Sequence, residues 1–469
     1  MRIVLLSGGS GKRLWPMSND SRSKQFLKVL KPEAPDALPD STLQSPVSML
    51  QRVWGQLAQV GLQSNSYVCA SRPQQDIILS QLGEVPVIAE PARRDTFPAI
   101  ALACTYLRQR VGATPDEAVA VLPVDHYVDD EYFVRIAGLE QVLQEADVDL
   151  ALLGVEPTEV TSKFGYIRVD PAKRHTARAP WWPVVGFEEK PSLKRAAQLM
   201  AEGALWNCGV FCFRLGYLEQ VLAAKGYPTD YAELVRNFAQ LPKRSFDYEV
   251  VEQTTSVAVS PYHGMWEDLG TWGALSGKMD DTLVGLGETV SCENTHVVNE
   301  LGIPVVTMGL QDIMVVATPD GILVADKESA AGLKDIIARY DTRPMCEERL
   351  WGSYRVLDYQ KLEDGTEVLT KWIELYPGHH LSYQKHAWRS EVWTIVSGEG
   401  EMAVDGRLVK VAAGDVMRVY AEQWHAIRAQ TPIKLVEVQR GSVLTEEDIT
   451  RRYMTWAEIE QHCTVCVRQ

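Results

Sequence analysis

The sequence predicts an α/β protein that continues into an all-β tail: a large domain on a mostly parallel sheet, a small stack of short strands, and a compact β-barrel or sandwich. Three observations carry that prediction. Through about the first 270 residues, short β-branched apolar runs alternate with longer amphipathic segments, the pattern of βαβ units with helices on both sheet faces. From about Gly285 to Asp326 the runs shorten to THVVNE, IPVVTMGL, IMVVATP and GILVAD, punctuated by Gly, Pro and Asp. Beyond a charged, helix-like segment, KESAAGLKDIIARYD, the turn signals SGEG, DGR and AAGD separate EVWTIV, EMAV, RLVKV and VMRVY, as short antiparallel strands require. The boundaries that follow are residues 1–284, 285–340 and 341–469.

In order, RIVLLS, SYVCAS, PVIAE, AVAVLPVDH and LALLGVEP read as strands, with SMLQRVWGQLAQVG, FPAIALACTYLRQRVG and YFVRIAGLEQVLQEA as helices among them. A chain of 469 residues is long enough for two to three hydrophobic cores. Its formal net charge of -15 denies it the basic field that nucleic acid or an anionic membrane needs. Any phosphate must therefore be held locally. No apolar run approaches the roughly 18 residues of a membrane span, and the chain enters a strand at once without signal-peptide architecture; the expectation is a cytoplasmic protein with no membrane partner. The eight cysteines, Cys69, Cys104, Cys208, Cys212, Cys292, Cys346, Cys463 and Cys466, lie mostly in apolar segments, which predicts reduced thiols rather than a disulfide framework. The terminal CTVC has redox-motif spacing but no βαβ unit after it. Exposed barrel edges and the connector predict self-association, as a homodimer.

The stretch SGGSGKRLWP after the first strand is a glycine-rich basic loop. It is not a Walker A loop: counting back from Gly11-Lys12 puts Leu6 at the first glycine, and Arg13 stands where the hydroxyl residue belongs. Nor is it a dinucleotide fingerprint, whose third glycine would fall on Leu14. What remains is a strand followed by glycines that let backbone N–H groups approach an anion, with Lys12, Arg13 and Lys24 to neutralise it. A glycine-rich turn with solvated charges is the alternative at this point.

The stretch GGSGKRLWP with SKQFL is followed in order by RRDTFPAIALA, LPVDHYV, FGYIRVD, FEEKP, WNCGVF, SFDYEVVE and WEDLGTWGAL. This series resembles the sugar-nucleotide pyrophosphorylases, and among them the mannose-1-phosphate guanylyltransferases fused to a C-terminal cupin, over essentially the whole chain. The resemblance implies a Rossmann-like nucleotide-diphospho-sugar transferase domain, a β-helix-like connector and a cupin barrel. It also implies attack by the phosphate oxygen of mannose-1-phosphate on the α-phosphorus of GTP, giving GDP-mannose and pyrophosphate. A phosphate monoester is already anionic at neutral pH, so catalysis reduces to charge neutralisation and in-line positioning. By resemblance, Asp125 and Asp268 would hold Mg2+ between the two phosphates. Gly8, Gly9, Gly11, Lys12, Arg13 and Asp95 would line the nucleotide, and Arg13 and Lys24 would meet the triphosphate. Lys190 would contact the sugar phosphate, with Gly165, Glu189 and Asn207 around the sugar. This chain departs from the family's usual pattern in having Lys12 for Thr, and Asp95-Thr96-Phe97-Pro98 for Asn-Thr-Ala-Pro. A pyrophosphorylase for another nucleoside triphosphate and hexose-1-phosphate, with a structural cupin, is the alternative.

In the tail, PGHHLSYQKHAWRSEVWTIVSG spaces Gly378, Gln384, His386, Glu391 and Gly398 as the first cupin motif does, with Gln in place of its usual first histidine. His425, eleven residues after Gly414, falls in the second motif. Positions i and i+2 of a strand share a face, so Gln384 and His386 are expected to point into the barrel, joined by Glu391 and His425. This N/O set suits Zn2+, Mn2+ or Fe2+ alike. In the fused family the barrel interconverts fructose-6-phosphate and mannose-6-phosphate, with Arg389 toward the sugar phosphate or the enediolate. Where the family usually reads HHHRAEHW this chain has HAWRSEVW, so Ala387, Trp388 and Val392 replace histidines. An isomerase and a structural, dimerising cupin are both open readings.

Overall fold

The computed structural model describes residues 1–9, 12–19, 22–30, 46–170, 180–279, 281–340 and 343–466. Its chain forms two compact units: Met1–Thr282 with Asp312–Met314 and Ala325–Lys334, and Leu283–Gln311 with Val315–Val324 and Asp335–Gln469. The short-strand segment read from the sequence as a separate connector is thus divided between the two.

The first unit is built on strands β1 (Arg2–Leu6), β2 (Ser66–Ser71), β3 (Val87–Glu90), β4 (Ala118–Pro123), β5 (His126–Val128), β6 (Leu150–Val155), β7 (Gly165–Val169), β8 (Trp182–Glu188), β9 (Leu205–Arg214), β10 (Val257–Tyr262) and β11 (Trp266–Asp268). Nine of them make one sheet in the order β3-β2-β1-β4-β9-β6-β10-β8-β7, and β5 pairs with β11 apart from it. β1 is parallel to β2 and β4, and β6 to β10. β9, however, runs antiparallel between β4 and β6, so the sheet is mixed rather than mostly parallel. Near-continuous burial of β9, LWNCGVFCFR, explains why its direction is not legible: a strand covered on both faces carries no alternation from which to infer orientation. Apolar side chains cover both faces, Leu50, Val53 and Leu57 of the helix Met49–Gln59 packing in one cluster and Phe97, Ile100 and Leu102 of the helix Thr96–Tyr106 in the other. Among the described residues no helix is long and apolar enough to cross a membrane.

The short strands β12 (Leu283–Val284), β13 (Gly287–Val290), β14 (His296–Asn299), β15 (Val305–Met308), β16 (Ile313–Thr318) and β17 (Gly321–Asp326) form one four-stranded and one two-stranded sheet. Parallel pairing of β12 with β14 and of β13 with β15 stacks successive turns of chain, as a β-helix does. The barrel follows as β18 (Cys346–Arg349), β19 (Gly352–Lys361), β20 (Glu367–Leu375), β21 (Tyr383–Lys385), β22 (Arg389–Ser397), β23 (Glu399–Val404), β24 (Arg407–Ala412), β25 (Val416–Val419), β26 (His425–Ala429), β27 (Ile433–Gly441), β28 (Thr450–Tyr453) and β29 (Thr464–Val465). They pair as two six-stranded sheets, β18-β19-β20-β27-β22-β25 and β28-β21-β26-β23-β24-β29. Alternate residues of β20, β22 and β27 are buried, the period of two expected of strands with one face inward.

Candidate active site

The first site begins where β1 and β4 end side by side, Leu6 level with Pro123. Open sheets bind ligands beyond the carboxyl ends of such strands. Ser7–Gly9 leave β1 there, and Val124-Asp125 leave β4. The segment Ser23-Lys24-Gln25-Phe26 is sewn onto the glycine loop. The Ser23 hydroxyl donates to the Gly9 carbonyl at 2.8 Å, the Gln25 amide to the Ser7 carbonyl at 2.5 Å, and Phe26 is 1% exposed. Asp268 arrives by pairing: β11 runs antiparallel to β5 with Asp268 level with His126, next to Asp125.

These constraints converge on one ammonium group. Lys24 Nζ lies 2.8 Å from Asp125 Oδ2 and 2.9 Å from Asp268 Oδ1. Burial alone would raise the Asp125 carboxyl, but Lys24 and His126 hold it well below the usual carboxylate range. Burial works against the Lys24 ammonium, yet the two carboxylates hold it above its ordinary value. The two carboxylates have hard oxygen donors suited to Mg2+, and a cation already stands between them.

A cleft of about 410 Å3 opens beside this trio, lined among others by Gly8, Gly9, Arg13, Lys24, Asp95 and Asp125. Gly11 and the side chain of Lys12 lie outside the described residues. A Cβ on Gly8 would stand 2.3 Å from Glu90 Oε1, so a larger residue there would have to push that carboxylate aside. Glu90, unremarked in the sequence, is 6% exposed, lines the same cleft, and burial pushes its carboxyl up to about 7. Asp95 caps the helix Thr96–Tyr106 by accepting from its own neighbour's N–H at 2.8 Å, with φ 71° and ψ −177°, a region costly for any residue but glycine. It is held by Thr96, whose hydroxyl accepts from Phe246 N–H at 2.8 Å. Lys334 also faces the cleft.

The residues expected around a sugar gather where β7 and β9 pair, Gly165 level with Asn207. A Cβ on Gly165 would lie 2.4 Å from Glu189 Oε2, so close approach demands glycine. Lys190, at φ 46°, bonds Glu189 Oε1 at 2.6 Å. Asn207 spends one amide N–H on Asp247 Oδ1 at 2.6 Å, and its oxygen accepts from Gly209 N–H at 3.1 Å. Asp247, which the sequence reading quoted in SFDYEVVE without a role, joins this group to the cleft. Burial, then the neighbouring Glu189, pushes its carboxyl up to about 6.

In the barrel, His386, Glu391 and His425 converge, their exposures 2%, 1% and 0%. His386 Nε2 stands 3.3 Å from Glu391 Oε1, and His425 Nε2 stands 3.4 Å from Glu391 Oε2. Glu391 Oε2 and His425 Nε2 are buried without a hydrogen-bond partner. With only each other at 3.4 Å, these two atoms and His386 Nε2 are a donor set that a cation would satisfy. Burial pushes the His386 imidazole down to about 4, keeping it in the neutral, ligating form. Gln384 is half-buried and pairs directly opposite His425, which puts the two side chains on one face of the sheet, and its amide oxygen accepts from the Ser382 hydroxyl at 3.0 Å. The pairing of β21 with β28 carries an extra residue on β28, between Arg451 and Tyr453. Arg389 is spoken for within the protein, donating to Glu391 Oε1 at 2.9 Å and to the Thr445 carbonyl at 2.9 Å, with His386 Nε2 at 3.3 Å.

Three further polar residues face inward that the sequence reading did not single out: Lys371, Glu437 and Gln439, all 5% exposed or less. A signal was available, because Lys371 shares the phase of Leu369, Ile373 and Leu375, and Glu437 and Gln439 that of Ile433 and Leu435. Gln439 bonds Glu391 Oε1 at 3.3 Å and Glu437 Oε2 at 2.9 Å, and Trp393 donates to Glu437 Oε1 at 3.0 Å. Burial, then Glu391, pushes Glu437 up to about 7.

Known proteins agree with this architecture. Residues 2–283 match the nucleotidyl transferase family and residues 343–453 the mannose-6-phosphate isomerase C-terminal family. The chain is 32% identical to the alginate biosynthesis protein AlgA of Pseudomonas putida, over 96% of this chain and 94% of that one. It is 30% identical to mannose-1-phosphate guanylyltransferase of Escherichia coli, over 96% of this chain and 97% of that one. A crystal structure of mannose-1-phosphate geranyltransferase from Thermus thermophilus superimposes with a TM-score of 0.59 at 28% identity, covering 72% of this chain and 98% of that one. With a nucleotidyl transferase domain, a C-terminal isomerase-type barrel and relatives aligned almost end to end, the chain belongs to the long, fused form of the mannose-1-phosphate guanylyltransferase family.

Proposed function

We propose that the first unit transfers GMP from GTP to mannose-1-phosphate, releasing pyrophosphate and forming GDP-mannose. The observation that carries this reading is the meeting of Lys24, Asp125 and Asp268 beside a glycine loop at the carboxyl ends of β1 and β4. Gly8, Gly9 and Arg13 line the cleft, where backbone N–H groups and a guanidinium would spread the triphosphate charge that repels an anionic nucleophile. Glu189, Asn207 and Asp247 fix the sugar, and Lys190 takes its phosphate, so that the attacking oxygen lies in line with the α-phosphorus. Asp125 and Asp268 would hold Mg2+, which supplies further neutralisation between the two phosphates when bound. Lys24, paired with both carboxylates, would offer its ammonium to the phosphate oxygens.

The barrel, in this reading, holds a divalent metal on His386, Glu391 and His425 and interconverts a ketose and an aldose 6-phosphate. The orphaned Glu391 Oε2 and His425 Nε2 support it. The test is to incubate the full chain with each nucleoside triphosphate and a panel of hexose-1-phosphates and follow pyrophosphate. GTP with mannose-1-phosphate should be preferred, and Asp125→Ala or Asp268→Ala should lower turnover about a hundred- to a thousandfold. Faster turnover with another pair would reassign the substrates; near-normal rates in both variants would remove the metal assignment.

A further inference from the structure

The inward faces of β20, β22 and β27 are zoned. One end is wholly apolar, with Ile373, Leu375, Ile395 and Leu435 buried; the other carries Lys371, Arg389, Glu391, Glu437 and Gln439 alongside Leu369 and Trp393. His386, Glu391 and His425 sit in the polar zone but are sealed, none more than 2% exposed. A sugar phosphate could reach them only if something moved.

The segment Thr445–Ile449 lies over this zone, between the buried anchor Leu444, 2% exposed, and β28. Polar bonds to the residues beneath hold it down. The Asp448 carboxylate accepts from the Ala387 and Trp388 N–H groups at 2.9 and 3.2 Å, the Asp448 carbonyl meets His386 Nδ1 at 2.5 Å, and the Thr445 carbonyl meets Arg389. Beside it is a cavity of about 310 Å3, lined by Trp388, Glu447 and Ile449 among others. A cover attached by hydrogen bonds and flanked by open space is a low-cost element to displace.

Its remaining attachment is Glu446, whose carboxylate sits 2.7 Å from Lys371 Nζ. The pair is asymmetric: the Lys371 side chain is 6% exposed and that of Glu446 55%. The ammonium rests against the Tyr354 ring at 4.2 Å, and among the described residues Glu446 is its one hydrogen-bond acceptor. An ammonium has three donors, so two remain for a ligand. Lys371 lies level with Glu437, one inward position along from the Gln439–Glu391 pair and two strands from β22, which places its backbone roughly 12 Å from that of Glu391. Both side chains are buried on the inward face, with Glu437 and Gln439 on the strand between them.

We propose that Lys371 is the anion subsite of the barrel for the phosphate of a sugar phosphate, and that Thr445–Ile449 is a displaceable cover whose Glu446 carboxylate occupies that ammonium until the phosphate replaces it. This deepens the sugar-phosphate reading of the barrel and rests on it. The pair is then an internal competitor: one partner receives the ligand and the other excludes it.

The full-length chain is titrated calorimetrically with mannose-6-phosphate, inorganic phosphate and free mannose, as wild type, Glu446→Gln and Lys371→Met. Both substitutions break the same ion pair and should loosen the cover alike, read as faster hydrogen exchange over 444–450. Their effects on binding should be opposite. Glu446→Gln should bind mannose-6-phosphate about two- to fivefold tighter, the equilibrium counterpart of losing a half-exposed ion pair. Lys371→Met should bind it at least about tenfold more weakly. Free mannose should distinguish neither variant, and inorganic phosphate should follow the sugar phosphate if the ammonium alone reads the ligand. Both variants moving in the same direction, or Lys371→Met binding as wild type does, would overturn the subsite. Loss of isomerase turnover with this binding pattern intact would instead count against the isomerase reading alone.

Discussion

Replacing Lys24 by Met tests the centre of the first site, because it removes the cation that the two carboxylates now share without removing either carboxylate. Lys24 Nζ makes contacts of 2.8 and 2.9 Å to Asp125 and Asp268. Each charge-assisted hydrogen bond contributes about 1.5–3 kcal/mol net. The carboxylate side chains are 32% and 28% exposed, so solvent screens part of that. A metal ion entering the native site must displace the ammonium, at a cost of about 1.5–3 kcal/mol after screening. Lys24→Met should therefore bind Mn2+ about 10- to 100-fold more tightly than wild type in the absence of nucleotide, measured by electron paramagnetic resonance titration of free Mn2+. Turnover should fall at least about a hundredfold, since no ammonium is left to move onto the phosphates. Without metal the variant should melt lower than wild type, because two half-buried carboxylates then face each other unpaired, and added Mn2+ should restore its stability. Unchanged or weaker Mn2+ binding in the variant would refute the idea that lysine and metal compete for one place.

Gly8→Ala places a methyl group 2.3 Å from a buried Glu90 oxygen; it should cost about 1–3 kcal/mol by thermal unfolding and raise the KM for GTP more than it lowers kcat. Glu90 ionises near 4.5 when unfolded but at about 7 in the fold, so its stabilising contribution is complete below about 4.5 and lost as pH rises through 7. Glu90→Gln should thus exceed wild type in stability by about 2–3 kcal/mol at pH 8, with the advantage gone at pH 4.5; a pH-independent difference in melting would contradict the burial argument. In the barrel, chelation should empty the His386–Glu391–His425 cluster and lower the melting temperature of that unit. Zn2+, Mn2+ or Fe2+ should restore it, and Glu391→Gln should hold no metal and ignore the chelator. A wild-type chain that melts identically with and without added metal would remove the metal reading.

How far the sites could be read depended on how local their signals are. Ser23, Lys24 and Gln25 stand together in sequence and act together on the glycine loop, so their importance was visible in one short motif. The cupin spacing likewise located three converging side chains, His386, Glu391 and His425, because each strand holds its own residues in phase. Gln384 follows the same logic, since it stands directly opposite His425 in the ladder. Glu90 and Asp247 were passed over because burial distinguishes them from ordinary surface carboxylates, and burial is set by segments far away in the chain.

The sequence by itself determined the kind of chemistry: a glycine-rich loop after a strand, scattered carboxylates and lysines in a fixed order, and a tail of short strands with imidazoles in register. Those features follow from residue type and near-neighbour spacing, which the backbone periods of helix and strand convert directly into geometry. Only the tertiary structure decided the partnerships. The β5–β11 ribbon sets Asp268 beside Asp125, β9 turns antiparallel in the middle of the sheet, and Glu446 pairs with Lys371. Such pairings join residues tens to hundreds of positions apart, and they are fixed by which apolar faces bury against each other, a property of the whole fold that no single stretch contains.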